Sequence, residues 1–186
     1  DIVFLTNPDN PIGNLINIDF IEKIVEKCRK ENSYLVLDEC FIDLAENGES
    51  AVPLIKKYDN LIIIKAFTKI YSFAGLRLGY ALADEKIIDM IDNMLPEWRV
   101  SMPANMCGIA ALNDKSFIHS SLEYIKKEKE YLINNFKSFG FTIYGSKANY
   151  IFFYTDIFNL KERLEKHNIL IRDCSNYAGL EKGYYR

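Results

Sequence analysis

Lys69 and Arg77 share the stretch Ala66-Phe67-Thr68-Lys69-Ile70-Tyr71-Ser72-Phe73-Ala74-Gly75-Leu76-Arg77-Leu78-Gly79, whose other members are apolar, hydroxylic or glycine. The two cations suit different chemistry. An amine that attacks a carbonyl must be neutral part of the time, which partial desolvation of a lysine provides, whereas a phosphate is best held by the permanently charged fork of an arginine. Either residue alone would read as a solvated surface cation. Set together among apolar and glycine residues, they point to a site.

Two further segments carry groups that could act with this pair. Asp38 follows the apolar run Tyr34-Leu35-Val36-Leu37, so its carboxylate lies at the C-terminal end of a strand; capping the segment that follows is an equally good use for it. Asn7-Pro8-Asp9-Asn10-Pro11-Ile12-Gly13 is turn-rich and follows the first apolar run, again where open α/β sheets bind ligands. Paired Asn-Pro units also make plain turns.

These placements depend on the elements around them. Apolar β-rich runs at residues 2–6, 34–37 and 61–64 are separated by a helical pattern with Ile18, Ile21, Val25 and Cys28 on one face, which predicts a parallel α/β sheet. The runs are continuously apolar, as expected of strands covered by helices on both faces. Asn17 is placed to cap the first helix, with Asp19 in its first turn. From Asp84 the pattern predicts helices at 85–94, 104–112 and 117–136. It then returns to strand (141–144), strand (150–154), helix (160–167) and strand (169–172), a small α+β unit.

The bulk properties exclude several function classes. The 23 basic and 26 acidic residues are interspersed, so there is no basic stripe for a nucleic acid backbone, and no apolar run approaches the roughly 20 residues that span a bilayer. Cys28, Cys40, Cys107 and Cys174 lack CxxC spacing and read as reduced thiols of a cytoplasmic protein. His119 and His167 have no ligand-spaced neighbours, so no metal site is expected. No G-x-G-x-x-G follows the first strand, which argues against a dinucleotide-binding module.

In their order, Asn-Pro-x-Asn-Pro-x-Gly, an Asp closing an apolar strand, Thr-Lys and Gly-Leu-Arg-x-Gly resemble the class I/II aminotransferases of pyridoxal-phosphate fold type I. The resemblance runs over essentially all 186 residues. It implies an aspartate aminotransferase-like fold: residues 1–115 as part of a large α/β cofactor-binding domain with a parallel-rich sheet, and residues 116–186 as a connecting helix and a small α+β C-terminal domain. The family's N-terminal part and extreme C-terminus would lie outside the chain. The implied cofactor is pyridoxal 5'-phosphate. Lys69 is then the Schiff-base lysine, Asp38 the partner of the pyridinium nitrogen, Asn10 the amide on the phenolic oxygen, and Thr68 and Arg77 the phosphate ligands. The complete protein is expected to be a homodimer acting on a small phosphorylated substrate.

Three features speak to the branch. Phe41 stands three residues after Asp38, where the aminotransferases carry a tyrosine whose hydroxyl bonds the phenolic oxygen; its loss raises the basicity of the Schiff base and leaves more to Asn10. The tail from Ile169 to Arg186 resembles the threonine-phosphate decarboxylases of the cobalamin pathway, which implies that Arg186 holds a substrate α-carboxylate and Arg172 a phosphate. Pairing of Arg172 with Asp173 or Glu181 is the structural alternative. Ala148-Asn149-Tyr150 also matches that branch, without an evident role for Asn149. The expectation is therefore decarboxylation of O-phospho-L-threonine to aminopropanol phosphate. Histidinol-phosphate transamination, which uses the same two arginine positions, is the alternative. From another class, the chain would be a catalytically incomplete piece that keeps only part of the cofactor site. The aromatic segment 95–102, with Trp98, would serve a subunit interface, the substrate pocket or the core.

Overall fold

Side-chain caps start the helices that frame the main sheet in the computed structural model, which describes residues 1–186. Asn17 Oδ1 accepts the Asp19 N–H at 2.8 Å and opens α1 (Ile18–Lys30). Asp84 does the same for α3 (Glu85–Met94), Ser101 for α4 (Met102–Asn113) and Asp114 for α5 (Lys115–Ser138). Each satisfies backbone donors that a helix's first turn leaves free.

The main sheet has the order β1 (Ile2–Thr6), β2 (Tyr34–Asp38), β3 (Leu61–Ala66), β4 (Gly79–Leu82). The first three strands are parallel and β4 runs antiparallel to β3. The alternation of apolar run and helix anticipates the parallel part. It misses β4, because Gly79-Tyr80-Ala81-Leu82 is short and its place is set by the turn that precedes it. On one face Leu35, Leu37, Leu61 and Ile63 pack against Ile21, Val25 and Cys28 of α1, all buried. Burial of each such Leu, Ile or Val contributes about 1.5–3 kcal/mol. The other face is largely uncovered: Val36 is buried there, but Ile2, Phe4 and Ile64 are exposed, Phe4 by 74%. The continuous apolar runs thus have a helix on one side only within this chain.

The second sheet is antiparallel, in the order β5 (Thr142–Tyr144), β6 (Phe152–Tyr154), β7 (Tyr184–Tyr185). Its inner face, Ile143, Phe153 and Tyr185, packs with Ile151 against Ile133 and Phe136 of α5. The Phe141 and Phe153 rings stack at 5.4 Å. α6 (Leu160–Glu165) completes the unit. The strand expected at 169–172 is not formed. That segment is irregular: only its last residue, Arg172, bonds the chain's end, by pairing with Arg186, and the contact continues beyond it through the Asp173–Tyr185 bridge and the Cys174 N–H on the Tyr184 carbonyl. Trp98 is 92% exposed, which rules out a core role. No helix is long and apolar enough to cross a membrane.

Candidate active site

Parallel pairing brings the first two functional segments together. Thr6 lies opposite Asp38 at the ends of β1 and β2, and the next residue, Asn7, donates its N–H to the Asp38 carbonyl at 2.9 Å. The turn that carries Asn10 therefore starts beside the Asp38 carboxylate. Buried Asn7 closes that turn: its Oδ1 accepts the Ile16 N–H at 2.9 Å, while Gly13 donates to Asp9 at 2.9 Å. Asp38 Oδ1 accepts the Cys40 N–H at 2.9 Å, a local turn that aims the carboxylate; the 3-10 turn that follows (Ile42–Leu44) begins at Phe41 without a side-chain cap. Asp38 thus bonds the backbone two residues on but is not the cap of that 3-10 turn. Burial, then the Asp38 carboxylate, push the Cys40 thiol up to about 12, so it stays protonated beside the site.

β3 delivers the lysine. Its last residue, Ala66, leads into the single turn α2 (Phe67–Ile70), which holds Thr68 and Lys69. The Lys69 amine lies 5.3 Å from the centroid of the Phe41 ring, the orientation of a cation–π contact, and takes part in no ion pair. The partial desolvation anticipated for this amine is not present: Lys69 is exposed, with Phe41 as the ring lying against it. Phe67 donates its N–H to the Leu78 carbonyl at 3.1 Å, which sets Arg77 beside α2. Arg77 itself has a left-handed backbone, φ 55°, and donates from Nη1 to the Ala74 carbonyl at 3.0 Å.

Below these groups lies a buried polar set that the sequence reading did not single out. Glu39, wholly buried, accepts from the Ser50 hydroxyl at 2.5 Å and the Ala51 N–H at 2.7 Å. Lys65, also buried, bonds both Asp43 oxygens at 2.8 and 3.0 Å and lies 3.8 Å from Glu39. It ties the end of β2, next to Asp38, to the end of β3, just before Lys69.

The C-terminal unit supplies the remaining cations. Arg172 and Arg186 exchange both backbone hydrogen bonds at 2.9 Å. Residues paired in this way are direct cross-strand neighbours, where like charges repel unless an anion lies between them. Neither is paired with an acid: Arg172 donates to Asn176 at 3.3 Å and lies over the Tyr177 ring at 5.7 Å. The alternative of an ion pair with Asp173 or Glu181 is thereby excluded. Arg186 donates from Nη1 to Asn10 Oδ1 at 2.6 Å and lies over Tyr150 at 5.3 Å. Tyr150, in turn, meets Phe41 edge-on at 5.2 Å. Lys69, Phe41, Tyr150, Arg186 and Asn10 thus form one connected group, with Thr68 and Arg77 on its α2 side, Arg172 beyond Arg186, and Asp38 with its partner Cys40 on the strand end that the Asn10 turn joins. Tyr150 was legible only as part of Ala148-Asn149-Tyr150, and Cys40 only as a neighbour of Asp38.

The donor set fits a phosphorylated pyridine aldehyde: an amine without an acid partner, a carboxylate at a strand end, an amide and an unpaired guanidinium beside the lysine turn. No cluster of His, Cys, Asp and Glu could hold a metal ion. The model of the family "Aminotransferase class I and II" matches residues 1–182, and the chain belongs to that family. Its fold is the aspartate aminotransferase-like fold, and pyridoxal phosphate is the cofactor it implies. A histidinol-phosphate aminotransferase of Methanosphaera stadtmanae is 35% identical over 192 residues, covering 100% of this chain and 51% of that protein. A Caldanaerobacter subterraneus protein, provisionally named a threonine-phosphate decarboxylase, is 30% identical and covers 100% of this chain and 52% of its own length. The crystal structure of histidinol-phosphate aminotransferase from Clostridium acetobutylicum superposes with a TM-score of 0.92 at 31% identity, covering 100% of this chain and 57% of that one. The chain spans about half the length of the curated relatives it matches.

Proposed function

We propose that the protein is a pyridoxal-phosphate-dependent aminotransferase acting on histidinol phosphate. The observation that carries the phosphorylated-substrate part of the reading is the pair of acid-free arginines, Arg172 and Arg186, which stand beside Asn10, Tyr150 and the Lys69 turn; the choice of histidinol phosphate comes from the relatives. This reverses the preference drawn from Phe41 and the tail: the relatives at 30% identity or more are named mainly for histidinol-phosphate transamination. Phe41 still favours decarboxylation of O-phospho-L-threonine as the second reading, because the phenol expected of an aminotransferase is missing.

When bound, the cofactor supplies an electron sink for the pair left on the substrate α-carbon. Lys69 Nζ would attach it and would carry the α-proton. Asp38 would pair with the ring nitrogen and hold a proton there. Asn10 would donate from Nδ2 to the ring oxygen, since its Oδ1 accepts from Arg186. Thr68 and Arg77 would hold the cofactor phosphate, and Arg172 and Arg186, cross-strand neighbours, would close on the single anionic group of histidinol phosphate, its phosphate, by charge-assisted hydrogen bonds; a carboxylate for Arg186 comes only with the amino-acid partner of the reaction. We assign residues 1–115 to the large domain and 116–186 to the connecting helix and small domain. We further assign the complete protein to a homodimer, with the exposed Met94, Trp98, Met102 and Met106 toward the partner copy.

The test uses the full-length protein loaded with cofactor. Histidinol phosphate with 2-oxoglutarate should yield glutamate, and O-phospho-L-threonine should release no carbon dioxide; the opposite pattern establishes the second reading. Lys69→Ala should abolish covalent fixation of cofactor by borohydride, and fixation that persists refutes the site. Arg172→Ala should raise KM for the phosphorylated substrate about 10- to 100-fold, as expected for loss of a charged hydrogen bond, with cofactor retention unchanged.

A further inference from the structure

Tyr150 touches the Asn10 turn, Phe41 and Arg186, and has no task in the roles assigned so far. Its hydroxyl donates to the Asp9 carbonyl at 2.5 Å, fixing the residue before Asn10. Its ring lies under the Arg186 guanidinium at 5.3 Å and against the edge of Phe41 at 5.2 Å. Gly13, at the far end of the same turn, leaves room for it: a Cβ there would come within 3.2 Å of Tyr150 Cε2.

Two long or turn-borne groups are constrained by this one ring. An arginine side chain has many rotamers, and holding one of them for an incoming anion costs entropy unless a surface supports it. The Tyr150 face is that surface. The Asn10 turn is likewise free to shift unless something ties its backbone, and the phenol does so from the other sheet. We propose that Tyr150 is a positioning residue: it holds Arg186 and the Asn10 turn as one pre-set unit, with the guanidinium toward the anionic end of the substrate and the Asn10 amide toward the cofactor. The proposal rests on the assignment of Arg186 to substrate binding. Burial, and after it Asp9, push the phenol up to about 12, so the hydroxyl remains a donor under working conditions.

The test compares Tyr150→Phe, Tyr150→Leu and Arg186→Lys in the full-length, cofactor-loaded protein. The Kd for inorganic phosphate is read from the absorbance of the bound cofactor, and KM and kcat are measured for histidinol phosphate. Tyr150→Phe keeps the ring and removes only the tie to Asp9. It should weaken phosphate binding about fivefold, the effect of one ordinary hydrogen bond, and raise KM alike, with kcat within about twofold of the parent. Tyr150→Leu should weaken binding further. Parental phosphate binding in Tyr150→Phe, alongside weakened binding in Arg186→Lys, overturns the proposal and leaves the site assignment standing. Unchanged binding in Arg186→Lys overturns both.

Discussion

Arg77 shows how a single residue can be held against its backbone preference. A left-handed φ of 55° costs a residue with a Cβ roughly 1–2 kcal/mol, yet an arginine and not a glycine stands there, braced by its bond to the Ala74 carbonyl. Strain of this kind persists where the side chain is needed. Replacing Arg77 with glycine should therefore stabilise the cofactor-free protein by about 1 kcal/mol in chemical denaturation while cofactor retention falls at least about tenfold. A variant that kept its cofactor would show that the guanidinium does not hold the phosphate. Arg77 was marked as a candidate phosphate ligand by its place beside Lys69 and by resemblance to the family. Its backbone strain was not, because φ depends on the turn's closure against β3.

At the scale of elements, the ends of β2 and β3 are locked by Glu39 and Lys65. Burial raises Glu39 above its ordinary 4.5, with the Ser50 and Ala51 hydrogen bonds opposing. A carboxylate raised on folding contributes stability that is fully present below the unfolded value and lost as pH rises through the folded one. Ionisation of Glu39 thus weighs on the fold from pH 4.5 upward. Glu39→Gln mimics the protonated side chain, so its thermal midpoint should gain on that of the parent as pH rises above 4.5. A gap that widened in the parent's favour would mean that Lys65 compensates the charge fully. This lock escaped the sequence reading because Glu39 and Lys65 are ordinary surface residue types, and only strand register buries them together.

Across the whole molecule, the two sheets meet along the Asn10 turn. Ser146 and Lys147 donate their N–H groups to the carbonyls of Ile12 and Gly13 at 2.9 and 2.7 Å, and Lys129 of α5 holds the Ser146 and Ala148 carbonyls at 2.5 and 2.8 Å. Gly145 makes this approach feasible: it has φ 49°, and a Cβ there would lie 2.6 Å from the Ile12 carbonyl oxygen. Gly140 has a similar φ, 79°, with nothing within 4 Å. Gly145→Ala should consequently destabilise by roughly 2–4 kcal/mol, against about 1 kcal/mol for Gly140→Ala, which carries the backbone strain alone. Equal losses in thermal unfolding would show that the contact between the sheets yields easily.

The sequence by itself determined where the candidate groups lie: Asn10, Asp38, Thr68, Lys69 and Arg77 follow strands whose apolar runs are local, and local pattern is what periodicity reports, while their roles came from resemblance to the family. Arg172 and Arg186 were marked as anion ligands by resemblance to relatives of similar tail. Tertiary structure decided how these groups are joined. The antiparallel return of β4, the irregular 169–172 segment and the cross-strand arginine pair all arise from contacts between distant residues, which no window of sequence contains. Tyr150 is the clearest case. Its neighbours Asp9, Phe41 and Arg186 are scattered along the chain, and only the meeting of the two sheets gathers them around one ring.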